Sequence, residues 1–375
     1  MLKGINLTLM VGPAVPLPVP QVVLDALTSV TVTTASGDTA SGFELKFTLS
    51  NRSPLHTIFL LAGGAMPPIL RTIIVVTMNS TPQVLMDGVV GQVDVVPGAD
   101  GHSVLSVKGT DLTAVMGLID FSGLPYPALP TFARIALILA KYAVLGIVPL
   151  VIPPIVTDIP LPISRIPRHQ STDLEYIHWL AKKSGYVFYL DPGPVPGVSV
   201  AYWGPEIKVG VPQPALNINM DAHTNVEALN FTFDKEHKTL PIVFIHEEIT
   251  KAVIPIPIPD ITPLNPPLGL IPPIPPKIRF LDDTDYESPL SAVMVGLAEA
   301  ARTADAVTVT GNLDVLRYGR ILQSRKLVGV RGAGPAFDGL YYVKSVTHTI
   351  KRGEYKQSFA LARNGLVSTV PKVAA

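Results

Sequence analysis

Residues 170–203 read QSTDLEYIHWLAKKSGYVFYLDPGPVPGVSVAYW, a capped helix, a stop, and two strands around a tight turn. Thr172 is placed as N-cap with Glu175 three residues on, the reciprocal capping-box spacing. Leu174, Ile177, Leu180 and Ala181 recur at helical period, leaving Asp173, Glu175, Lys182 and Lys183 to face water. The acids stand in the first turn and the lysines in the last, as the helix dipole favours. Gly185 supplies the left-handed residue that ends the helix. Tyr186–Leu190 and Val198–Trp203 read as strands across the Asp191-Pro-Gly-Pro turn, with Tyr186, Phe188, Tyr202 and Trp203 as packing residues.

The composition around this module excludes several function classes. The 375 residues carry 29 basic and 29 acidic side chains, so no basic excess points to nucleic acid or an anionic membrane. There is no cysteine, which removes disulfides, thiol catalysis and cysteine-metal sites. Mean hydropathy is +0.39, high enough to imply apolar surface hidden against partners or a membrane. The 38 prolines are about twice the usual share. The N-terminus alternates polar and apolar residues and meets proline from Pro13, unlike a secretory h-region. Synthesis in the cytoplasm without a signal peptide is therefore expected.

Residues 1–115 read as an all-β domain, with strict alternation in Gly42–Leu49 (GFELKFTL) and turns at Ser36–Asp38, Asn79–Pro82 and Pro97–Gly101. Residues 116–253 form a middle region with helices at about 131–147 and 172–184 and strands at 225–246 that either complete the first barrel or belong elsewhere. The most apolar run, 132–155, is interrupted by Arg134 and Lys141 and broken by Pro149, Pro153 and Pro154. A helix packed on barrel walls or a neighbouring subunit is expected there, since a central charge costs a spanning helix about 2.5–3.5 kcal/mol.

Residues 254–279 form a proline-rich extended arm. Proline excludes helix and central strand, and full extension would reach of order 70 Å. Its isoleucines and leucines favour an ordered arm along an apolar groove at least as much as a tether. Residues 280–375 form a C-terminal β unit, entered through a helix that begins at Ser288-Pro289. The fold class is thus mainly β with helical insertions (α+β).

No catalytic, cofactor or metal residue is nominated. His246-Glu-Glu-Ile-Thr250 begins like a zincin motif but has Thr250 where the second histidine must stand. His169 and His178 are single histidines. Asp282, Asp283 and Asp285 cluster without the spaced ligands of a calcium loop, so a solvated loop is expected. Gly332-Ala-Gly lies between strands and lacks the dinucleotide pattern. Carboxylate pairs for glycan cleavage stay open, because such partners meet only in the fold.

The segment TDLEYIHWLAKKSGYVFYLDPG resembles the central signature of the phage late control D family. The run from Tyr318 to Leu366, with its glycine-rich turn, DGLYYVKSVTH strand and GEYKQSFALARNGL return, resembles that family's closing β unit. GFELKF and Leu85–Val90 resemble its opening barrel, and the proline-rich arm is the part that matches least. The resemblance implies a tail or baseplate hub of a contractile phage tail or injection system, related to the base of type VI secretion spike proteins. It implies two tube-like β-barrels per subunit and a homotrimeric, pseudo-sixfold ring joining a hexameric inner tube protein to a trimeric spike. The implied partners are further copies, the inner tube protein, a separate spike protein and baseplate proteins. Neither nucleic-acid specificity nor stable membrane insertion is implied, and no enzyme activity. The implied location is the baseplate of a phage tail or phage-tail-like particle. The rival classes are a cell-wall or glycan hydrolase and a membrane-associated β protein.

Overall fold

The computed structural model describes residues 4–13, 15–37, 40–50, 53–61, 69–97, 103–154, 159–160, 166–246, 253–258, 266–281 and 289–370. Glu247–Thr250 and the Asp282, Asp283 and Asp285 cluster lie outside the described residues. The first strands are β1 (Ile5–Gly12), β2 (Leu17–Pro18), β3 (Leu27–Ala35), β4 (Gly42–Leu49), β5 (Arg71–Met78), β6 (Thr81–Pro97) and β7 (Ser103–Asp111). The middle adds β8 (Ile147–Val151), β9 (Val187–Pro192), β10 (Ser199–Gly204), β11 (Gln213–Asn217) and β12 (Ala228–Phe233). Next come β13 (Thr239–His246), β14 (Val253–Pro257), β15 (Gly269–Ile271) and β16 (Lys277–Leu281). The last are β17 (Val307–Asp314), β18 (Leu327–Arg331), β19 (Gly339–Lys351), β20 (Glu354–Arg363) and β21 (Leu366–Ser368). The chain is mainly β with helical insertions.

Alternation along each strand builds one dry face. In β4, Phe43, Leu45, Phe47 and Leu49 are buried while Glu44 and Lys46 stay accessible. Burying each such side chain contributes about 1.5–3 kcal/mol. The two β units at the ends of the chain are joined edge to edge. β3 pairs with the second half of β19, Ser345–Lys351, and the resulting sheet runs β12-β17-β20-β19-β3-β4-β7-β6-β5-β1-β2. β18 pairs with the first half of β19, and β11 with β18. One apolar core runs through both units, from Val30, Leu45 and Val107 to Val309, Val346 and Phe359.

The middle region has its own core. The Asp173–Ser184 helix forms as expected: Thr172 Oγ1 accepts from the Glu175 amide at 3.3 Å, and Gly185 closes the helix at φ 67°. It lies on the antiparallel pair β9–β10, where Phe188, Tyr202 and Trp203 are buried and Tyr186 meets Trp203 edge-on at 4.8 Å. Three expectations need correction. Asp173 is fully buried rather than solvated, because Lys141 and Tyr142 converge on it. The helix expected at 131–147 spans only Thr131–Ala140, since Gly146 (φ 77°) turns the chain into β8, which pairs in parallel with β10. Within 225–246, β12 pairs with β17 and so joins the C-terminal strands rather than the first unit. Among the described residues no helix is long and apolar enough to cross a membrane.

The proline-rich arm is anchored on its own subunit where it is described. β14 is an edge strand, with Pro255 and Pro257 in a position that needs no inward amide. Leu268 is buried against Leu327 and Tyr342, and Asn364 Oδ1 accepts from the amides of Leu268 and Gly269, each at 2.8 Å. The backbones cross so closely that a Cβ at Gly365 would lie 2.5 Å from Ile271 O. Gly365→Val is therefore expected to lift β15 off β21 at a cost of about 1–3 kcal/mol. Hydrogen exchange would show it as lost protection confined to β15 and β21, and unchanged protection would refute it.

Candidate assembly surface

Strand register lines up the accessible face of the main sheet into polar rows that cross from one unit to the other. Asn312, Ser358, Thr347, Thr33, Gly42 and Thr110 stand side by side on six strands. The next row is Asp314, Lys356, Thr349, Thr31, Glu44, Lys108 and Gln92. At the seam, Thr33 Oγ1 and Thr347 Oγ1 share a hydrogen bond of 3.0 Å. Three cations on this face are paired within it: Lys356–Glu227 at 2.8 Å, Lys108–Asp94 at 3.1 Å and Lys46–Glu44 at 3.4 Å. The Gln92 amide and then Lys108 hold the Asp94 carboxyl below its usual range. A face of small hydroxyls and neutralised charges has little with which to grip a particular ligand.

Both ends of this face are bare strand edges among the described residues. β12 pairs on one side only, with β17. β6 is covered by β5 from Thr81 to Val89, so its later residues pair only with β7. Eight strands lie between these edges, four from each unit, and every neighbouring pair is antiparallel. β12 and β6 therefore run in opposite directions.

Buried polar joints lock the units and the middle region together. Arg325, its side chain 4% exposed, donates from Nε and Nη2 to Ala35 O (3.0 and 2.6 Å) and from Nη1 to Leu190 O (3.1 Å) and Asp191 (2.9 Å). Its guanidinium lies 3.9 Å from the Tyr189 ring centre. Burial, more than this cation can offset, pushes the Tyr189 hydroxyl up to about 12. Next to it, Lys344 reaches Glu206 and Asp305, each at 3.0 Å, and Lys208 reaches Asp305 at 2.7 Å. Burial alone would raise the Asp305 carboxyl; Lys208 and Lys344 reverse that and hold it far below its usual value. Arg71 grips Asp87 through two bonds of 2.8 and 2.7 Å and donates to Gly197 O, fixing the β9–β10 turn to the first unit.

In the middle region, His169 is buried with Nδ1 2.8 Å from the Tyr126 hydroxyl and Nε2 3.4 Å from Asp173. Tyr142 donates to Asp173 at 2.6 Å, and Lys141 lies 2.5 Å from it. Burial, outweighing the Asp173 charge, lowers the His169 pKa. His178 sits apart, edge-on to Phe188, so the two histidines do not converge. Among the described residues no group of histidines and carboxylates could hold a metal ion. Gly332 and Gly334 form the turn between β18 and β19, both at positive φ. The sequence reading missed Arg325 and Asp173, whose partners lie far away along the chain.

Sequence comparison finds no matching family model and no matching curated protein. Fold comparison does find matches. A tail protein from Neisseria meningitidis MC58 superposes with a TM-score of 0.61 at 14% identity, covering 97% of this chain and 98% of its own. The 43 kDa tail protein of prophage MuSo2 from Shewanella oneidensis gives 0.61 at 16% identity, covering 96% and 98%. An Escherichia coli type VI secretion component, described as similar in structure to the T4 phage tail proteins gp27 and gp5, gives 0.52 at 10% identity over 92% and 76%. At these identities the likeness is one of architecture: the chain has the fold of phage tail proteins and of type VI secretion proteins related to them.

Proposed function

We propose that the chain is the hub of a contractile phage tail or injection machine. Three copies would form a pseudo-sixfold ring that joins a hexameric inner tube to a trimeric spike, within a baseplate. In this reading residues 1–115 and 280–375, the latter with β12, are the two tube-like units, and residues 116–253 and 254–279 brace them from outside. The observation that carries it is the eight-strand polar face, four strands from each unit, ending in two bare edges of opposite direction. Such edges favour pairing with another chain unless covered. Antiparallel addition of β12 of one copy to β6 of the next repeats head to tail, and a threefold rotation would close it into a ring. The rows of threonine, serine and paired charges would then face the lumen, where a surface that holds nothing tightly suits transit. The role asks for rigidity rather than chemistry, which the joints at Arg325 and Asp305 supply.

The cysteine-free sequence makes a clean test. Thr232→Cys on β12 is combined in turn with Gln92→Cys, Asp94→Cys or Val96→Cys, all on the polar face. Oxidation is expected to yield a covalent ladder stopping at three copies for one of these registers. A stable monomer at micromolar concentration by mass measurement, with no cross-linking in any register, would sink the ring.

A further inference from the structure

A groove of about 250 Å³ opens where the first unit's sheet curls without closing, between β1 and β3. Its floor is apolar: Ile5 and Leu7 from β1, Leu24 from the Gln21–Ala26 helix, Leu27 and Val30 from β3, and Ile350 from β19. Its rim is basic. Lys351 and Arg352, both exposed, stand at the β19–β20 turn. Among the described residues Lys351 has no carboxylate partner, and Arg352 donates only to the main-chain oxygen of Asp25. The Asp25 carboxylate accepts from the Gln21 amide at 3.0 Å.

The wall of the groove is a bare strand edge. β1 pairs along its whole length with β5. On its other side β2 covers only Met10 and Val11, and Val19 donates to Leu9 O. Leu9 and Val11 thus turn their main-chain groups to that side, and by alternation so do Leu7 and Ile5, which have no strand beside them among the described residues. The prolines around β2 guard the far end of this edge and leave the end beside the groove open.

We propose that the groove takes an extended segment of a partner protein, added as a strand along Ile5–Thr8. One large apolar side chain of the segment fills the groove, and a carboxylate of the segment meets Lys351 and Arg352. The edge decides for a polypeptide over a free amphiphile, because only a polypeptide satisfies both main-chain donors and acceptors. The volume suits one or two leucine-sized side chains, and the two cations, without a carboxylate partner among the described residues, select acid over amide. The proposal does not depend on ring formation, since the groove lies within one subunit.

The test uses the full chain and a labelled pentapeptide of alternating threonine and leucine ending in aspartate, acetylated at its N-terminus and amidated at its C-terminus, followed by fluorescence anisotropy. Its asparagine counterpart is expected to bind at least tenfold more weakly. That advantage should vanish in the Lys351→Ala, Arg352→Ala double variant, whose two side chains are exposed and whose folding is checked by an unchanged urea midpoint. A peptide methylated on alternate main-chain nitrogens is expected to lose binding. Equal binding of acid and amide peptides, no binding of either, or indifference to methylation would overturn the proposal. So would displacement of the peptide by dodecanoate. The oligomeric state is read separately by mass, so failure here is distinct from failure of the ring.

Discussion

Replacing Arg325 by alanine is expected to lower the stability of the chain by about 3 kcal/mol, seen as an earlier urea midpoint. The magnitude comes from deciding which of its contacts matter. The ion pair with Asp191 is the obvious one, but that carboxylate is 61% exposed, and exposed pairs contribute about 0–1 kcal/mol. The bonds to Ala35 O and Leu190 O matter more, because both residues are buried and their carbonyls would be left without a partner. Each unsatisfied buried group costs about 1–3 kcal/mol, and the stacked Tyr189 ring adds about 1 kcal/mol. Arg325 itself sits at φ 63°, a conformation costing of order 1 kcal/mol that these contacts hold in place. Two companions sharpen the result. Asp191→Asn should cost less than about 1 kcal/mol. Arg325→Lys should recover little, because an ammonium group cannot reach the ends of β3 and β9 with one planar fork. Equal losses from Asp191→Asn and Arg325→Ala would show that the charge pair dominates instead.

Arg325 also marks where reading the sequence stops. GFELKFTL declares its dry face by alternation, and β4 buries Phe43, Leu45, Phe47 and Leu49 accordingly. Thr172, Glu175 and Gly185 declare the ends of a 12-residue helix from residues local to it, and the helix has those ends. What binds β3 to β19 is different in kind. Thr33 and Thr347 are 314 positions apart, and nothing in the local pattern of either strand names its neighbour. Asp173 failed for the same reason: at the start of an amphipathic helix an acid is ordinarily solvated, and only the fold brings Lys141, Tyr142 and His169 to it. The candidate surface shares that limit. Its hydroxyl and charged residues are legible as the wet half of each alternation, but the rows they form and the bare edges that bound them exist only once strand order is known.

Acid is expected to destabilise the chain well before its carboxylates titrate, and one buried histidine, His348, should account for the larger share. His348 lies on the core face of β19 beside β3, 3% exposed. Its Nδ1 is 2.8 Å from the Tyr355 hydroxyl and 3.3 Å from Gln357 Nε2. Gln357 is held in turn by the main chain of Leu322, from which its Oε1 accepts and to which its Nε2 donates. An amide donor fixed beside Nδ1 needs a lone pair there, so the ring must stay neutral, and burial pushes its pKa down from 6.5 to about 3. The unfolded chain takes up the proton near 6.5 while the folded chain refuses it, so the unfolded state binds more protons between these values. Stability is therefore complete above about pH 6.5 and falls by about 1.4 kcal/mol per pH unit below it, toward a total of about 4 kcal/mol near pH 3. Asp305 works in a separate window. Its pKa is depressed from 3.8 in the fold, so its contribution is still whole at pH 4.5 and fades only below the unfolded value. Urea midpoints at pH 7.5 and 4.5 thus leave Asp305 out and report the buried histidines, and replacing His348 reads its share. His348→Gln keeps a side-chain oxygen to accept from Tyr355 and has no proton to gain, so it should lose about 2–3 kcal/mol less than the wild type across that interval. If both proteins lose the same amount, the acid sensitivity resides elsewhere, and the buried His169 beside Asp173 is the next group to replace.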